Sequence, residues 1–367
     1  MKNPKTFFDA LEKDPHNYTL KGCAEPHYHL GADIFRDGDG TLAMGAQTYS
    51  KRLLDNYERL YGELPRKTLN PLDPQDHPEL DMSEECSPDE AAKFHSLIGA
   101  CQWMITLCRF DIAHAIMSLS RFRNLPRVGH VERLKKICGY IRKNPHGAIR
   151  FRTGIPDHEA TFGTDPKTYD WMHTVYGSPK EEIPPNAPPP KGKPVRMTTF
   201  VDANLMHDLV TGRSCSGILH MICQTPVQWF TKRQNQVETA TYGSEFMAAR
   251  IAIEQIIDLR YTLRMLGVPI DGPSWLFGDN KSVITSSTIP HSTLGKRWNA
   301  LSYHRVREAV AANIVRFEFL KSDQNVADIF TKSMPYTVSR PLVEPLLFWK
   351  GGTVKSGSDE QNNESCS

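Results

Sequence analysis

The segment EEIPPNAPPPKGKP at residues 181–194 carries six prolines. Proline removes a backbone donor and fixes φ, so this stretch can neither continue a helix nor sit inside a sheet. Residues 153–195 around it therefore predict a linker. At 367 residues the chain also exceeds what one hydrophobic core usually organises, so two regions are expected on either side.

Before the linker, Thr6 to Leu11 is helix-like. HYHLGADIF and TLAMGAQTY flank RDGDG, the pattern of a hairpin, and a helix follows over Ser50 to Leu60. RDGDG opens like a calcium loop, but position twelve from Asp37 is Thr48 rather than a bidentate Glu, so it reads as a turn. His27 and His29 have no third ligand in view and read as strand residues. Residues 67–88 are a Pro-rich, acidic loop. Ser87-Pro88-Asp89-Glu90 then caps a helix on which Phe94, Leu97, Ile98, Cys101 and Ile105 share a face. Ile112, Ala115, Ile116 and Leu119 mark a second helix.

After the linker the period changes. MTTFV, SGILHMI and VQWFTKR read as strands, Thr239 to Leu266 as a long helix, and SWLFGD as a strand. Asn280 to Ser286 and Lys296 to Ala312 read as helices, VRFEFL as a strand, and a last helix follows. This order predicts an α/β fold with mixed strand directions.

Lysine plus arginine (44) nearly balance aspartate plus glutamate (42), so net charge says little about partners. Its distribution says more: Arg121, Arg123, Arg127, Arg133, Lys135, Lys136, Arg142, Lys143, Arg150 and Arg152 face one acid, Glu132. Such a block either attracts polyanions or is a solvated helix face. The eight cysteines form no C-x-x-C pair and fit reduced thiols in an intracellular protein. No signal peptide is evident, and the most apolar run, Leu97 to Leu107, is too short to span a bilayer, which predicts a soluble protein without membrane contact.

Asp202 follows Phe200-Val201 and Asp279 ends Trp275-Leu276-Phe277, which places both at expected strand C-termini, where α/β sheets build sites. Glu245 falls early in the long helix, and Asp328 near the start of the last. Each acid alone fits a turn or a helix dipole.

Together they resemble the RNase H of copia-type LTR retrotransposon polyproteins, whose pattern of D-A-D/N, E-[YF]-M-A, C/G-D-N and A-D-I-[LF]-T-K stands here as Asp202-Ala203-Asn204, Glu245-Phe246-Met247-Ala248, Gly278-Asp279-Asn280 and Ala327-Asp328-Ile329-Phe330-Thr331-Lys332. Arg213-Ser214-Cys215-Ser216-Gly217 matches the family's R-S-T-S-G, and Val227 to Gln234 its I-S-W-x-S-K-x-Q. Upstream, Tyr28 to Ile34 resembles Y-F-L-G-I-E-V and Gln47-Thr48-Tyr49 resembles Q-x-K-Y of the reverse transcriptase palm. Ser96 to Ala100, Arg109-Phe110-Asp111-Ile112 and Leu119 to Phe122 resemble S-L-I-G-A, R-P-D-I and L-S-R-F of the thumb and connection, with Phe110 in place of Pro.

The resemblance implies an RNase H-like mixed sheet flanked by helices over 196–335, preceded by the end of a palm (1–66), a helical thumb/connection region (67–152) and the linker. A C-terminal tail (336–367) follows, expected to be disordered over 351–367. It implies that Asp202, Glu245, Asp279 and Asp328 are catalytic and hold two Mg²⁺ ions, with Mn²⁺ a substitute, about 3.5 to 4 Å apart. It implies cleavage of the RNA strand of an RNA–DNA hybrid, in which the 2′-OH marks RNA.

Nucleic-acid contacts are expected from Arg121, Arg123, Arg127, Arg133, Lys135, Lys136, Arg142 and Lys143, and from Arg213, Lys232, Arg233 and Asn280 within the motifs. His304 is a candidate catalytic histidine, and Trp298 stands where the family has another. The polymerase's Asp-Asp hairpin is expected to precede residue 1, which makes the polymerase part a partner. The expected compartment is the cytoplasm, in particles, or the nucleus. The alternative is a retroelement relic that binds nucleic acid without cutting it.

Overall fold

The computed structural model describes residues 9–13, 25–163, 169–295 and 297–349. The expected features at 6–8 and 351–367 lie outside them.

The first sheet has the order β1-β2-β3-β4: β1 (Tyr28–His29), β2 (Ala32–Arg36), β3 (Leu42–Gly45) and β4 (Ala148–Arg150), all antiparallel. β2 and β3 form the hairpin, and its turn closes through Asp37 Oδ1, which accepts from Asp39 N and Thr41 N. Helices α1 (Gln47–Tyr61), α2 (Pro88–Leu107), α3 (Ala113–Ser120) and α4 (Val128–Lys143) lie between β3 and β4. Ser87 caps α2 by accepting from Glu90 N. Arg109 is fully buried, with its guanidinium forked on Asp111 at 2.9 and 2.8 Å and donating to Asn144 O at 2.8 Å. The first and third residues of Arg109-Phe110-Asp111-Ile112 thus neutralise each other inside the core.

The second sheet has the order β7-β6-β5-β8-β9. β5 (Met197–Asp208), β6 (Arg213–Ile222) and β7 (Thr225–Arg233) form an antiparallel meander, while β8 (Ser274–Gly278) and β9 (Val315–Phe319) run parallel to β5. Three strands, a long helix α6 (Thr241–Met265), a strand, helices α7 (Lys281–Thr288) and α8 (Ala300–Ala311) and a last strand make an RNase H-like mixed α/β domain. Side chains alternate between its two faces. Val201, Ile218 and Leu276 pack with Phe246 and Ala249 of α6, whereas Phe200, Leu219 and Phe277 join the core of the helical region.

Phe110 marks that junction. Its ring lies 5.2 Å from Trp229 and 5.8 Å from Phe330, so the residue standing in place of the family's proline plugs one region into the other.

Four segments differ from expectation. Residues 169–194 form no helix or strand, yet Trp171 is buried beside the Arg307 guanidinium, and Glu181 accepts from Arg260 at 2.7 Å and Arg264 at 2.5 Å. Earlier in the expected linker, His158–Phe162 forms a short helix, α5, whose rings meet Trp275 and Phe277. Five residues are too few to show a period. At the other end, Asp328 lies in a 3-10 turn, Val326–Phe330, rather than at the start of a helix. Pro335 interrupts the chain before α9 (Tyr336–Leu347) begins. Within the expected tail, α9 buries Val343 and Leu347 in the first core, and Trp349 Nε1 donates to Ala148 O.

The shared core predicts that Phe110→Ala costs about 3 to 5 kcal/mol and that both regions unfold together. Urea melts followed by far-UV circular dichroism and tryptophan fluorescence check this: coincident, shifted midpoints are expected, and a second-region transition left in place contradicts it.

Candidate active site

Register sets the site. β5 and β8 pair in parallel as Thr198 with Trp275, Thr199 with Leu276 and Phe200 with Phe277. Asp202 and Asp279 each lie two residues beyond the last pair, so period two brings both to the same side of neighbouring strands. Asp202 was expected at a strand end. It lies within β5 instead, because the antiparallel pairing with β6 carries the strand on to Asp208 after the parallel pairing with β8 has stopped.

Glu245 is the fifth residue of α6, and the backbone N–H of Ala203, beside Asp202, favours its charged form. One carboxylate oxygen from each of Asp202, Glu245 and Asp279 lies within 4.8 Å of the others. Asp328 joins them from the turn, which is held to the sheet by close approach: a Cβ on Gly217 of β6 would meet Thr331 Cγ2 at 2.6 Å, Phe330 Cβ at 2.7 Å and Ala327 O at 2.8 Å. The glycine of the Arg213-to-Gly217 motif thus makes room for the turn that carries the fourth acid.

Three further residues act on the acids. The Thr331 hydroxyl donates to Asp202 Oδ2, the Ser322 hydroxyl donates to Asp279 Oδ2 at 2.6 Å, and Lys332 Nζ sits 3.0 Å from Asp328 Oδ2 and 3.8 Å from Asp202 Oδ2. Thr331 and Lys332 were visible in the sequence as the end of the Ala327-to-Lys332 motif without an assigned role, and Ser322 carried no motif signal.

Burial and crowding dominate the electrostatics. Burial, then the charges of Asp202 and Asp279, push the Glu245 carboxyl well above its ordinary range. Burial raises Asp202 as well, against the opposing pull of Lys332. In Asp328, burial and the Asp202 charge outweigh Lys332 and raise the carboxyl to about 7, and its Oδ1 is buried without a hydrogen-bond partner. Clustered hard oxygen donors that resist ionising together, one of them unpartnered, suit divalent cations.

His304 is not drawn into this group. It is exposed on α8, where Tyr176 OH meets its Nδ1 at 2.6 Å.

The basic block is answered in space mostly by acids distant in sequence. The acidic loop lies along α4 so closely that a Cβ on Gly139 would stand 2.0 Å from Arg66 O. Arg133 pairs with Asp76 at 2.9 Å and Asp81 at 2.5 Å, Lys136 with Asp73, Lys135 with Glu132 at 2.7 Å, and Arg127 with Glu85 at 3.9 Å. Arg142 donates to Pro65 O at 2.9 Å. Arg121, at 2.5 Å, and Arg233 both pair with the fully buried Asp208, joining the two regions. Hydrogen bonds from Thr211 and Arg233 and the Arg121 charge overcome burial and hold that carboxyl well below its usual range. Arg123, Lys143 and Lys232 are exposed, and Arg213 is half-buried at the start of β6. Asn280 caps α7, accepting from Ser282 N and Val283 N, beside Asp279.

Two outcomes follow from this packing. Gly217→Ala should cost about 1 to 3 kcal/mol by overpacking, read as a lowered urea midpoint, and an unchanged midpoint contradicts the close approach. Unfolded carboxyls ionise near pH 4, whereas folded Asp328 keeps its proton to about 7. Without divalent ions, stability should therefore fall as pH rises through that window and level off above it. Mg²⁺ should raise the melting temperature more at pH 8 than at pH 5, and an equal or reversed effect contradicts the crowding.

No family model matches the chain. It is 20% identical over 337 residues to the retrovirus-related Pol polyprotein from transposon RE1 of Arabidopsis thaliana, covering 91% of this chain and 20% of that protein. It is 22% identical over 328 residues to the polyprotein from transposon TNT 1-94 of Nicotiana tabacum, covering 87% and 21%. The chain thus spans about a fifth of the length of these relatives. The solved N-terminal RNase H domain of Rv2228c from Mycobacterium tuberculosis matches over 41% of this chain and 98% of its own, at 10% identity and a TM-score of 0.30. Over about nine tenths of its length this chain is similar to the Pol polyproteins of copia-type retrotransposons, and its second sheet with its helices forms an RNase H-like domain.

Proposed function

We propose that the chain carries the ribonuclease H of a copia-type polyprotein and hydrolyses the RNA strand of RNA–DNA hybrids. The observation that carries this reading is the convergence of Asp202, Glu245 and Asp279 within 4.8 Å, with Asp328 beside them. Asp202, Glu245 and Asp279 would hold one Mg²⁺ or Mn²⁺ ion, and Asp202 and Asp328 a second. Bound there, the ions supply activation of water and neutralisation of charge at the phosphate.

The chain's own groups do the positioning. Thr331 fixes Asp202, the shared ligand. Ser322 engages Oδ2 of Asp279 and leaves Oδ1 to bind an ion. Glu245 and Asp279 open onto a surface depression lined also by Thr241, Asn280, Lys281, Ser282 and Phe319, which would admit a strand of a duplex. There a 2′-OH is available to distinguish RNA from DNA. Exposed Lys232 and Arg123 would contact phosphates, and the polymerase part of such a polyprotein would be the partner, inside the cell. Among the described residues no helix is long and apolar enough to cross a membrane.

A second reading, binding without cleavage, is favoured by Trp298 standing where the family has a histidine, because an indole cannot accept a proton there.

The test is digestion of a labelled RNA–DNA hybrid with Mg²⁺. The RNA strand should be cut, and Asp279→Asn should slow cutting by about two orders of magnitude or more. A hybrid that survives at saturating protein favours the second reading.

A further inference from the structure

The acids do not share their counter-charges evenly. Among the described residues no ion pair forms to Glu245 or Asp279, whereas Lys332 Nζ lies 3.0 Å from Asp328 Oδ2 and 3.8 Å from Asp202 Oδ2. We propose that the Lys332 ammonium occupies the half-site between Asp202 and Asp328 and must leave before a divalent ion can bind there, so that the two ions load in sequence, the triad of Asp202, Glu245 and Asp279 first. This inference rests on the two-ion reading above.

The geometry makes the two occupants exclusive. A Mg²⁺ ion takes carboxylate oxygens at about 2.0 to 2.1 Å, and one shared by Asp202 and Asp328 would lie in the space in front of both oxygens that the ammonium now faces. A single positive charge and a double one at that range repel, and the half-buried setting screens them little.

Lys332 is held where it is by its origin. It follows Asp328 by four residues, and its own N–H bonds Asp328 O at 3.2 Å, so the side chain returns along the turn onto the carboxylate. Its side chain keeps 37% of its surface exposed, against 9% for Asp328 and 3% for Asp202. The lysine can therefore swing out to water while the acids stay.

A scissile phosphate would favour that exchange twice over. Its oxygens complete the shell of the second ion, and they offer the displaced ammonium an anion. In the absence of nucleic acid the second half-site should then be weak, and loading of the second ion should be linked to substrate. A triad ion meets no such competitor.

Calorimetric titration of the full chain with Mn²⁺, in the absence of nucleic acid, tests this on wild type, Lys332→Gln and the charge-keeping Lys332→Arg. Circular dichroism melts verify that each is folded. Wild type and Lys332→Arg should bind one ion, with a second at least about tenfold weaker, a gap of roughly 1.4 kcal/mol. Lys332→Gln should bind two ions with the gap reduced to about threefold or less. If Lys332→Gln keeps the wild-type stoichiometry and affinities, the gating is wrong while the triad site stands. If folded wild type and Lys332→Gln both bind no ion, the two-ion reading itself falls and this inference with it.

Discussion

Packing carboxylates against one another where the parallel pairing of β5 and β8 ends is the constraint around which this structure is arranged. Asp202, Glu245 and Asp328 are all nearly removed from water, and the charges of Asp202 and Asp279 raise the cost of ionising Glu245 and Asp328 further. A fold does not keep such an arrangement for stability. What holds it includes two hydroxyls that fix acids of the cluster, Thr331 on Asp202 and Ser322 on Asp279. An active site built to concentrate divalent cations has this character, because the electrostatic penalty of the empty site becomes affinity when ions enter.

The helical region supports the site from behind the sheet. Phe110 wedges between Trp229 and Phe330, directly behind the turn that presents Asp328. Asp208, buried at the far end of β5, gathers Arg121 from one region and Arg233 from the other. Since β5 also carries Asp202, displacement of the helical region would be felt at the acids through one strand. The proline-rich segment adds a clasp on the opposite side, where Glu181 ties down α6 through Arg260 and Arg264.

Much of this was legible in the residues. The first three strands, the long helix and the strand leading to Asp279 were visible because their periods are long enough to count, and the order of the acids along them carried the resemblance. What escaped depends on distance or brevity. The block from Arg121 to Lys143 looked unopposed, since Asp73, Asp76 and Asp81 stand some fifty to sixty positions earlier in the chain. The turn at Val326–Phe330 looked like a helix because five residues cannot separate the two geometries, and α5 was lost within the linker for the same reason. The need for Gly217 could not be seen before the turn it accommodates was in place. The position of Asp202 inside β5 followed from two pairings that end at different residues, which a single-strand pattern does not encode.

The central claim is that the clustered carboxylates form a divalent-cation site. Anomalous diffraction at the manganese edge, from crystals of the full chain grown with saturating Mn²⁺, tests it most directly. The account predicts an anomalous peak coordinated by Asp202, Glu245 and Asp279. Mn²⁺ bound elsewhere in the crystal, with no peak among those three side chains, would contradict it.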